Sequence, residues 1–211
     1  MPELVLIRHA QASFGAADYD VLSDLGHAQS RALGMALKRQ GLAPVAVYRG
    51  AMRRHRETLE GIATALDLPA PTIHEGLNEF DSKALLASFG GGVPSDRKAH
   101  FRRLREAVVA WQNGEIDGPE SFAAFTDRVM QAQSAMAAHD GPVLAVSSGG
   151  AICRMLAAAV RAPAQTMIEL QLQMKNCAVN RLLATGDTTF LTGFNETPHI
   201  DAEAAHMLTF S

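Results

Sequence analysis

The sequence predicts an α/β fold, and three observations carry the prediction. Short β-type runs such as Leu4-Val5-Leu6-Ile7 and Pro142–Val146 alternate with longer segments of helical apolar period. The chain closes with two β-type runs, Cys177–Ala184 and Thr188–Phe194, joined by Thr185-Gly186-Asp187 as in a hairpin. Three strand ends, at Ile7/Arg8, Tyr48/Arg49 and Val146/Ser147, pass at once into polar or glycine-rich residues. Open parallel sheets hold their ligand crevices at such carboxyl ends.

Glu3–Ile7 reads as a buried strand that stops at Arg8-His9. Ser23 is placed to cap a helix with Leu25, Ala28, Ala32, Leu33 and Ala36 on one face, and Gly41 ends it. Val45–Tyr48 is a second strand, passing through Gly50 into a helix from about Met52 to Leu66 that Pro69 and Pro71 close. Gly90-Gly91-Gly92 reads as a mobile loop within the domain. Ser95 to about His139 holds two helices joined by the turn-rich Asn113–Pro119. Pro142–Val146 is the clearest strand and enters a helix through Ser147–Gly150. The stripe Met167, Leu170, Leu172 and Met174 suits either the core or a homodimer face. No repeat, low-complexity tract or linker divides the chain, so residues 1–211 read as one domain.

Composition narrows the function classes. The 211 residues are 47% hydrophobic and 19% charged, which is ordinary for a globular protein. A net charge of -3 gives no footprint for nucleic acid or an anionic membrane. Cys153 and Cys177 both sit in apolar stretches, too few for a disulfide framework, and read as buried free thiols. The N-terminal apolar run is too short for a secretory signal, and Val143–Val160 is interrupted by Ser147–Gly150 and Arg154. These features lead to an expectation of a cytoplasmic protein without a membrane partner. Neither the Gly-x-x-x-x-Gly-Lys-Ser/Thr loop nor the Gly-x-Gly-x-x-Gly turn is present, which disfavours nucleotide-dependent kinase or nicotinamide chemistry. No His-Glu-x-x-His or Cys/His spacing suggests a metal site, and no cofactor is expected.

The chemistry concentrates at Arg8-His9. A buried strand that delivers both residues to its carboxyl edge creates a need for partners. Arginine offers a planar fork for phosphate or carboxylate, and histidine serves as nucleophile, base or metal ligand. By itself such a pair favours the plainer reading, a strand simply leaving the sheet for solvent. Six blocks in collinear order decide the matter: Leu6-Ile7-Arg8-His9-Ala10-Gln11, Leu22–Gln29, Val47–Thr58, Leu77-Asn78-Glu79-Phe80, Glu120-Ser121 through Arg128-Val129, and Val143–Gly150. Together they resemble the histidine phosphatase (phosphoglycerate-mutase-like) superfamily, with looser similarity in Phe194–His199.

The resemblance implies a three-layer α/β/α fold, a mostly parallel sheet flanked by helices with a C-terminal antiparallel hairpin. It implies His9 as phosphoryl acceptor, Glu79 as acid and base, and Arg8 and Arg54 as a clamp on the phosphoryl oxygens. Ser148 and Gly149 complete the expected phosphate site, with Ser148 falling where the family has its second histidine. Ala10 replaces the family's glycine after the nucleophile, and a usual asparagine falls near Gly15. The expected activity is a phosphatase for a small phosphorylated metabolite, working through a phosphohistidine. A weak or inactive phosphate-ligand binder and a phosphoglycerate-mutase-type phosphotransferase are the alternatives. Ser148→His is expected to raise the rate unless a neighbouring histidine already fills that position. Arg49, Arg53 and Arg56 are expected as solvated or ion-paired neighbours of Arg54. His27, His55, His74, His100, His139 and His206 are expected at the surface or in structural hydrogen bonds, with His199 set apart because its block looks family-like. Substrate choice is expected to lie with the rim Asn78–Pro94 and the helices after it.

Overall fold

The structure, a computed structural model, describes residues 1–13, 20–91, 96–186 and 188–210, with backbone alone at Arg97. The Gly15 position, the part of the rim from 92 to 94, Gly92 of the glycine run and Asp187 of the hairpin turn lie outside the described residues. In chain order the elements are β1 (Glu3–Arg8), α1 (Asp24–Arg39), β2 (Ala46–Arg49), α2 (Arg53–Ala63), β3 (Thr72–Ile73), a 3₁₀ turn (Glu75–Leu77) and α3 (Ser82–Phe89). Then come α4 (Arg97–Gln112), α5 (Phe122–Ala137), β4 (Val143–Ser147), α6 (Gly149–Ala159), α7 (Thr166–Gln173), β5 (Val179–Thr185), β6 (Thr188–Glu196) and a 3₁₀ turn (Ala205–Met207).

Among the described residues the strands form one six-stranded sheet in the order β3-β2-β4-β1-β5-β6. β3, β2, β4 and β1 are parallel neighbours, and β5 and β6 add an antiparallel edge. The alternation of β1 explains the layering. Leu4 and Leu6 enter one apolar cluster with residues of α4, α5, α6 and α7. Val5 and Ile7 enter another with Leu33, Leu37, Leu59 and Ile62 of α1 and α2. All four are fully buried, each worth about 1.5–3 kcal/mol in apolar surface removed from water. β1 is therefore a rigid support for Arg8 and His9 at its carboxyl end. Its register, Arg8 opposite Ser147 with Ile7 opposite Val146, brings its end level with that of β4. Arg49 of β2 also pairs with Val146, so the three expected strand ends share one edge.

Local chemistry sets the helix ends. Ser23 caps α1 by accepting from Gly26 N, and Gly41 follows at φ +74°. A Cβ on Gly26 would collide with the Gln11 carbonyl, so glycine lets α1 pack against the segment after His9. α2 is shorter than expected, ending at Ala63. The rim segment also differs from a plain loop: Asp81 caps α3 by accepting from Ala84 N, and Gly90 ends it at φ +76°. The sequence hides α3 because its eight residues bury only Leu85 and display no period. Met167 and Met174 are fully buried, and Leu170 and Leu172 pack against the same core. Cys153 and Cys177 are buried and free. No helix among the described residues is long and apolar enough to cross a membrane.

Candidate active site

At the carboxyl edge of the sheet lies a cavity of about 340 Å³ whose wall includes Arg8, His9, Arg54 and Glu79. Three stretches of chain deliver these side chains: the end of β1, the first turn of α2 and the turn before α3. Arg8 is the last residue of β1, and its Nη1 donates to the Met174 carbonyl at the end of α7. His9 comes next, 4% exposed, with its main chain fixed by His9 N to Ser147 O at 2.9 Å. The ring Nδ1 lies 2.8 Å from the Ala10 carbonyl. A carbonyl only accepts, so Nδ1 carries the proton and Nε2 keeps its lone pair. Ala10 N donates to Thr58 Oγ1 at 2.9 Å, and Thr58 in turn donates to Arg54 O at 2.7 Å, tying the loop after His9 to α2.

Arg54 sits in the first turn of α2, where Asp20 holds it. The Asp20 carboxylate accepts from Arg53 N at 2.8 Å and from Arg54 Nη1 at 2.7 Å. It thus supplies the side-chain cap that Met52 cannot give α2. Arg54 Nη2 reaches Ser148 Oγ at 3.4 Å. Arg53 pairs with Glu57 at 2.6 Å and Arg56 with Glu60 at 3.6 Å, while Arg49 donates to Gly50 O, so the neighbouring arginines are occupied elsewhere as expected.

Glu79 comes after the turn that leaves β3. Its Oε2 accepts from Gly150 N at 3.1 Å and from Gln171 Nε2 at 3.2 Å. A Cβ on Gly150 would collide with Glu79 Oε1, so this glycine makes room for the carboxyl at the start of α6. Arg128 of α5 holds the preceding turn, donating to Glu75 O at 3.0 Å and Asn78 O at 2.9 Å while pairing with Glu120 at 2.6 Å. The Glu-Ser…Arg-Val block thereby acquires a physical task.

Burial pushes the two titratable groups toward their neutral forms. Desolvation, reinforced by Arg54 and Arg8, holds the His9 pKa well below the ordinary imidazole value. Desolvation raises the Glu79 carboxyl, although its bond from Gly150 and the nearby Arg54 and Arg8 oppose the rise.

Ser148 and Gly149 do not line the cavity wall. Both are fully buried behind it, Gly149 beside Arg8 and Gln171 in the first turn of α6. Against Ser148 stands His55 of α2, whose Nε2 lies 2.7 Å from Ser148 Oγ and whose ring centre is 5.9 Å from that of His9. His55, expected at the surface or in a structural hydrogen bond, is hydrogen-bonded to Ser148 and fully buried next to the nucleophile candidate. The available signal is its place: in the Val47–Thr58 block it falls where the family pattern carries alanine. Of the two outcomes expected for Ser148→His, this geometry matches the one in which a neighbouring histidine already occupies the space. His100 lines the cavity with Lys83, Phe101, Leu104 and Leu172. Phe80–Lys83 of the rim segment and residues of α4 and α7 line the cavity. His199 is not in the cavity wall; it is buried, and among the described residues neither ring nitrogen has a hydrogen-bond partner. Among the described residues no group of three His, Cys, Asp or Glu is arranged to hold a metal ion.

Known structures share the fold of this chain. The solved structure of a mycobacterial glucosyl-3-phosphoglycerate phosphatase with inorganic phosphate is 21% identical, covers 94% of this chain and 99% of its own, and superposes with a TM-score of 0.68. A phosphoserine phosphatase mutant from Entamoeba histolytica, in complex with phosphoserine, is 18% identical over 95% and 100% of the two chains, with a TM-score of 0.68. YhfR of Bacillus stearothermophilus is 19% identical over 95% and 100%, with a TM-score of 0.69. At these identities the likeness is one of fold. The sequence pattern of the histidine phosphatase superfamily (branch 1) matches residues 4–197, and the chain belongs to that superfamily.

Proposed function

We propose that this protein is a phosphoric monoester hydrolase acting on a small phosphorylated metabolite, with His9 as nucleophile and residues 1–211 forming one catalytic domain. The observation that carries the reading is the His9 ring itself. Its Nδ1–H is committed to the Ala10 carbonyl, which leaves Nε2 as the reactive lone pair in a cavity that also holds Arg8, Arg54 and Glu79. In the first step Nε2 attacks phosphorus, the ester P–O bond breaks, and Glu79 gives its proton to the departing oxygen. In the second step the Glu79 carboxylate takes a proton from water, the water oxygen attacks phosphorus, and the P–N bond breaks to release inorganic phosphate. Arg8 and Arg54 stabilise the charge spread over the non-bridging oxygens in both steps. The raised Glu79 pKa supports the acid role, and the depressed His9 pKa supports attack by neutral imidazole.

A cavity of about 340 Å³ suits a small ligand, and its wall combines the apolar Phe101, Leu104 and Leu172 with the polar Lys83 and His100. The test is hydrolysis of para-nitrophenyl phosphate by the wild-type protein and by His9→Ala, with acid quenching to trap labelled protein. Wild type is expected to turn over and to yield acid-labile phosphohistidine, and His9→Ala is expected to lose at least about a thousand-fold in rate. Unchanged turnover in His9→Ala overturns the mechanism. Tight phosphate binding without hydrolysis replaces the enzyme by a phosphate-ligand binder.

A further inference from the structure

Next to His9, His55 is a buried titratable group that this two-step scheme leaves without a task. It is fully buried, its Nε2 is within hydrogen-bond distance of the Ser148 hydroxyl, and among the described residues its Nδ1 has no hydrogen-bond partner. A fully buried imidazole with one partner is costly to keep unless that partner matters. The partner leads to the site: Ser148 Oγ is also 3.4 Å from Nη2 of Arg54, which lines the cavity.

The direction of this chain comes from counting donors and acceptors. Arginine only donates, so Ser148 Oγ accepts from Arg54. If His55 Nε2 also donated to Oγ, the serine proton would lack an acceptor and Nδ1 would be an unused lone pair. If instead the hydroxyl donates to Nε2, a single unmatched group remains, the Nδ1–H. That proton lies on the Gly50 side of the ring, where Asn78 Oδ1 is the nearby acceptor: a Cβ on Gly50 would meet both atoms. The second arrangement strands fewer groups, and a 2.7 Å separation suits an O–H donor. A hydroxyl that gives its proton away becomes a better acceptor, so the imidazole strengthens the hold of Ser148 on the guanidinium. Asp20 grips Nη1 of the same group at 2.7 Å, so Arg54 is oriented from both ends. The arrangement requires an unprotonated His55, and burial together with Arg54 and Arg49 keeps its pKa well below the ordinary value.

We propose that His55 is a positioning residue for phosphoryl transfer: it accepts the Ser148 hydroxyl proton, and Ser148 in turn fixes the face of Arg54 offered to the substrate's phosphoryl group. The proposal rests on the phosphatase reading above and assigns a role to a side chain outside its nucleophile, acid and clamp.

The experiment is a double-mutant cycle on the full-length protein, read by kcat and KM for para-nitrophenyl phosphate and by inhibition with inorganic phosphate. Ser148→Ala and His55→Leu are each expected to lower kcat/KM about ten-fold and to weaken phosphate inhibition in step, since one hydrogen bond to a charged group is involved. The combined variant is expected to be no worse than Ser148→Ala alone, because His55 acts through Ser148. His55→Gln, whose amide oxygen reaches the place of Nε2, is expected to restore most of the activity. A purely structural role would lower the active fraction, leaving KM and phosphate inhibition unchanged and the two losses additive. That pattern overturns the proposal. An independent reading comes from ¹⁵N NMR of histidine-labelled wild type, where His55 is expected as the Nδ1–H tautomer; an Nε2–H or doubly protonated ring overturns it even if His55→Leu does not fold. A wild type without hydrolysis removes both readings, whereas hydrolysis lost in His9→Ala but indifferent to His55→Leu and Ser148→Ala removes this one alone.

Discussion

Burial acts on His9 and Glu79 in opposite senses of pKa but toward the same end, a neutral imidazole and a neutral carboxyl facing one cavity. The proposed acid role makes the loss in Glu79→Gln depend on the leaving group. Departure of para-nitrophenolate needs little protonation, whereas an alkoxide needs it greatly. The kcat/KM of Glu79→Gln, which reports the step that phosphorylates His9 and not the later water step, is expected to fall by roughly a hundred- to ten-thousand-fold for an alkyl phosphate and by far less for para-nitrophenyl phosphate. Values of kcat/KM across a series of esters of graded leaving-group pKa check this; an equal loss in kcat/KM throughout the series removes the acid role from Glu79. Arg8, His9, Arg54 and Glu79 were legible in the sequence because each sits in a short block whose order along the chain is itself a signal. Asp20, Gln171 and His55 were not, since their meaning lies in contacts with Arg54, Glu79 and Ser148 that span 34, 92 and 93 residues. His55 also departs from its block, so the pattern that located Arg54 passed over its neighbour.

At the scale of elements, the site depends on how a turn without regular structure is held in place. Glu79 has no strand or helix of its own: it lies between the 3₁₀ turn Glu75–Leu77 and α3. Two anchors fix this stretch, Ser147 Oγ donating to Leu77 O at 2.6 Å and Arg128 donating to Glu75 O and Asn78 O. Arg128 is only partly exposed and its pairing with Glu120 orients the guanidinium fork. Arg128→Ala removes the donor to the Asn78 carbonyl and the Glu120 carboxylate, and one of the two donors to Glu75 O, which keeps its bond from Asn78 N. It is expected to cost about 1.5–3 kcal/mol of stability and to lower kcat several-fold with KM little changed, because Glu79 loses its aim while the arginine clamp is untouched. Denaturant titration and steady-state kinetics test the two parts, and full activity in a destabilised variant confines Arg128 to folding. Long elements were readable by period and caps, as the Ser23 cap and the helices on either side of Asn113–Pro119 illustrate. β3 and α3 were missed for a shared reason: two residues and eight residues with one buried side chain are too short to show periodicity.

For the molecule as a whole, the layered fold is a consequence of alternation in β1, but the sheet order is not. The placement of β1 between β4 and β5 joins segments well over a hundred residues apart, and no local pattern records such a pairing. The same long-range burial has a consequence for stability. His9, His55 and His199 are all enclosed and held below the ordinary imidazole value, His199 at about 4, with desolvation the leading cause in each. In the unfolded chain these rings titrate near pH 6.5. Below that pH the unfolded chain therefore takes up protons that the folded protein refuses, and stability falls as the solution is acidified. Glu79 has the opposite sign, since its folded pKa is raised and protonation relieves it, but it is one group against three. For His199 the loss begins near pH 6.5 and ends near its folded value of about 4, so by pH 5 it withdraws about 2 kcal/mol. The expected outcome is a fall in the urea midpoint between pH 7.5 and pH 5, with a visibly shallower fall in His199→Asn. The slope against pH is the measurement that matters, because the substitution also changes packing at a buried site and shifts stability at every pH alike. Equal slopes in the two proteins would show that His199 titrates normally when folded, and would leave the acid sensitivity to the two histidines beside the cavity.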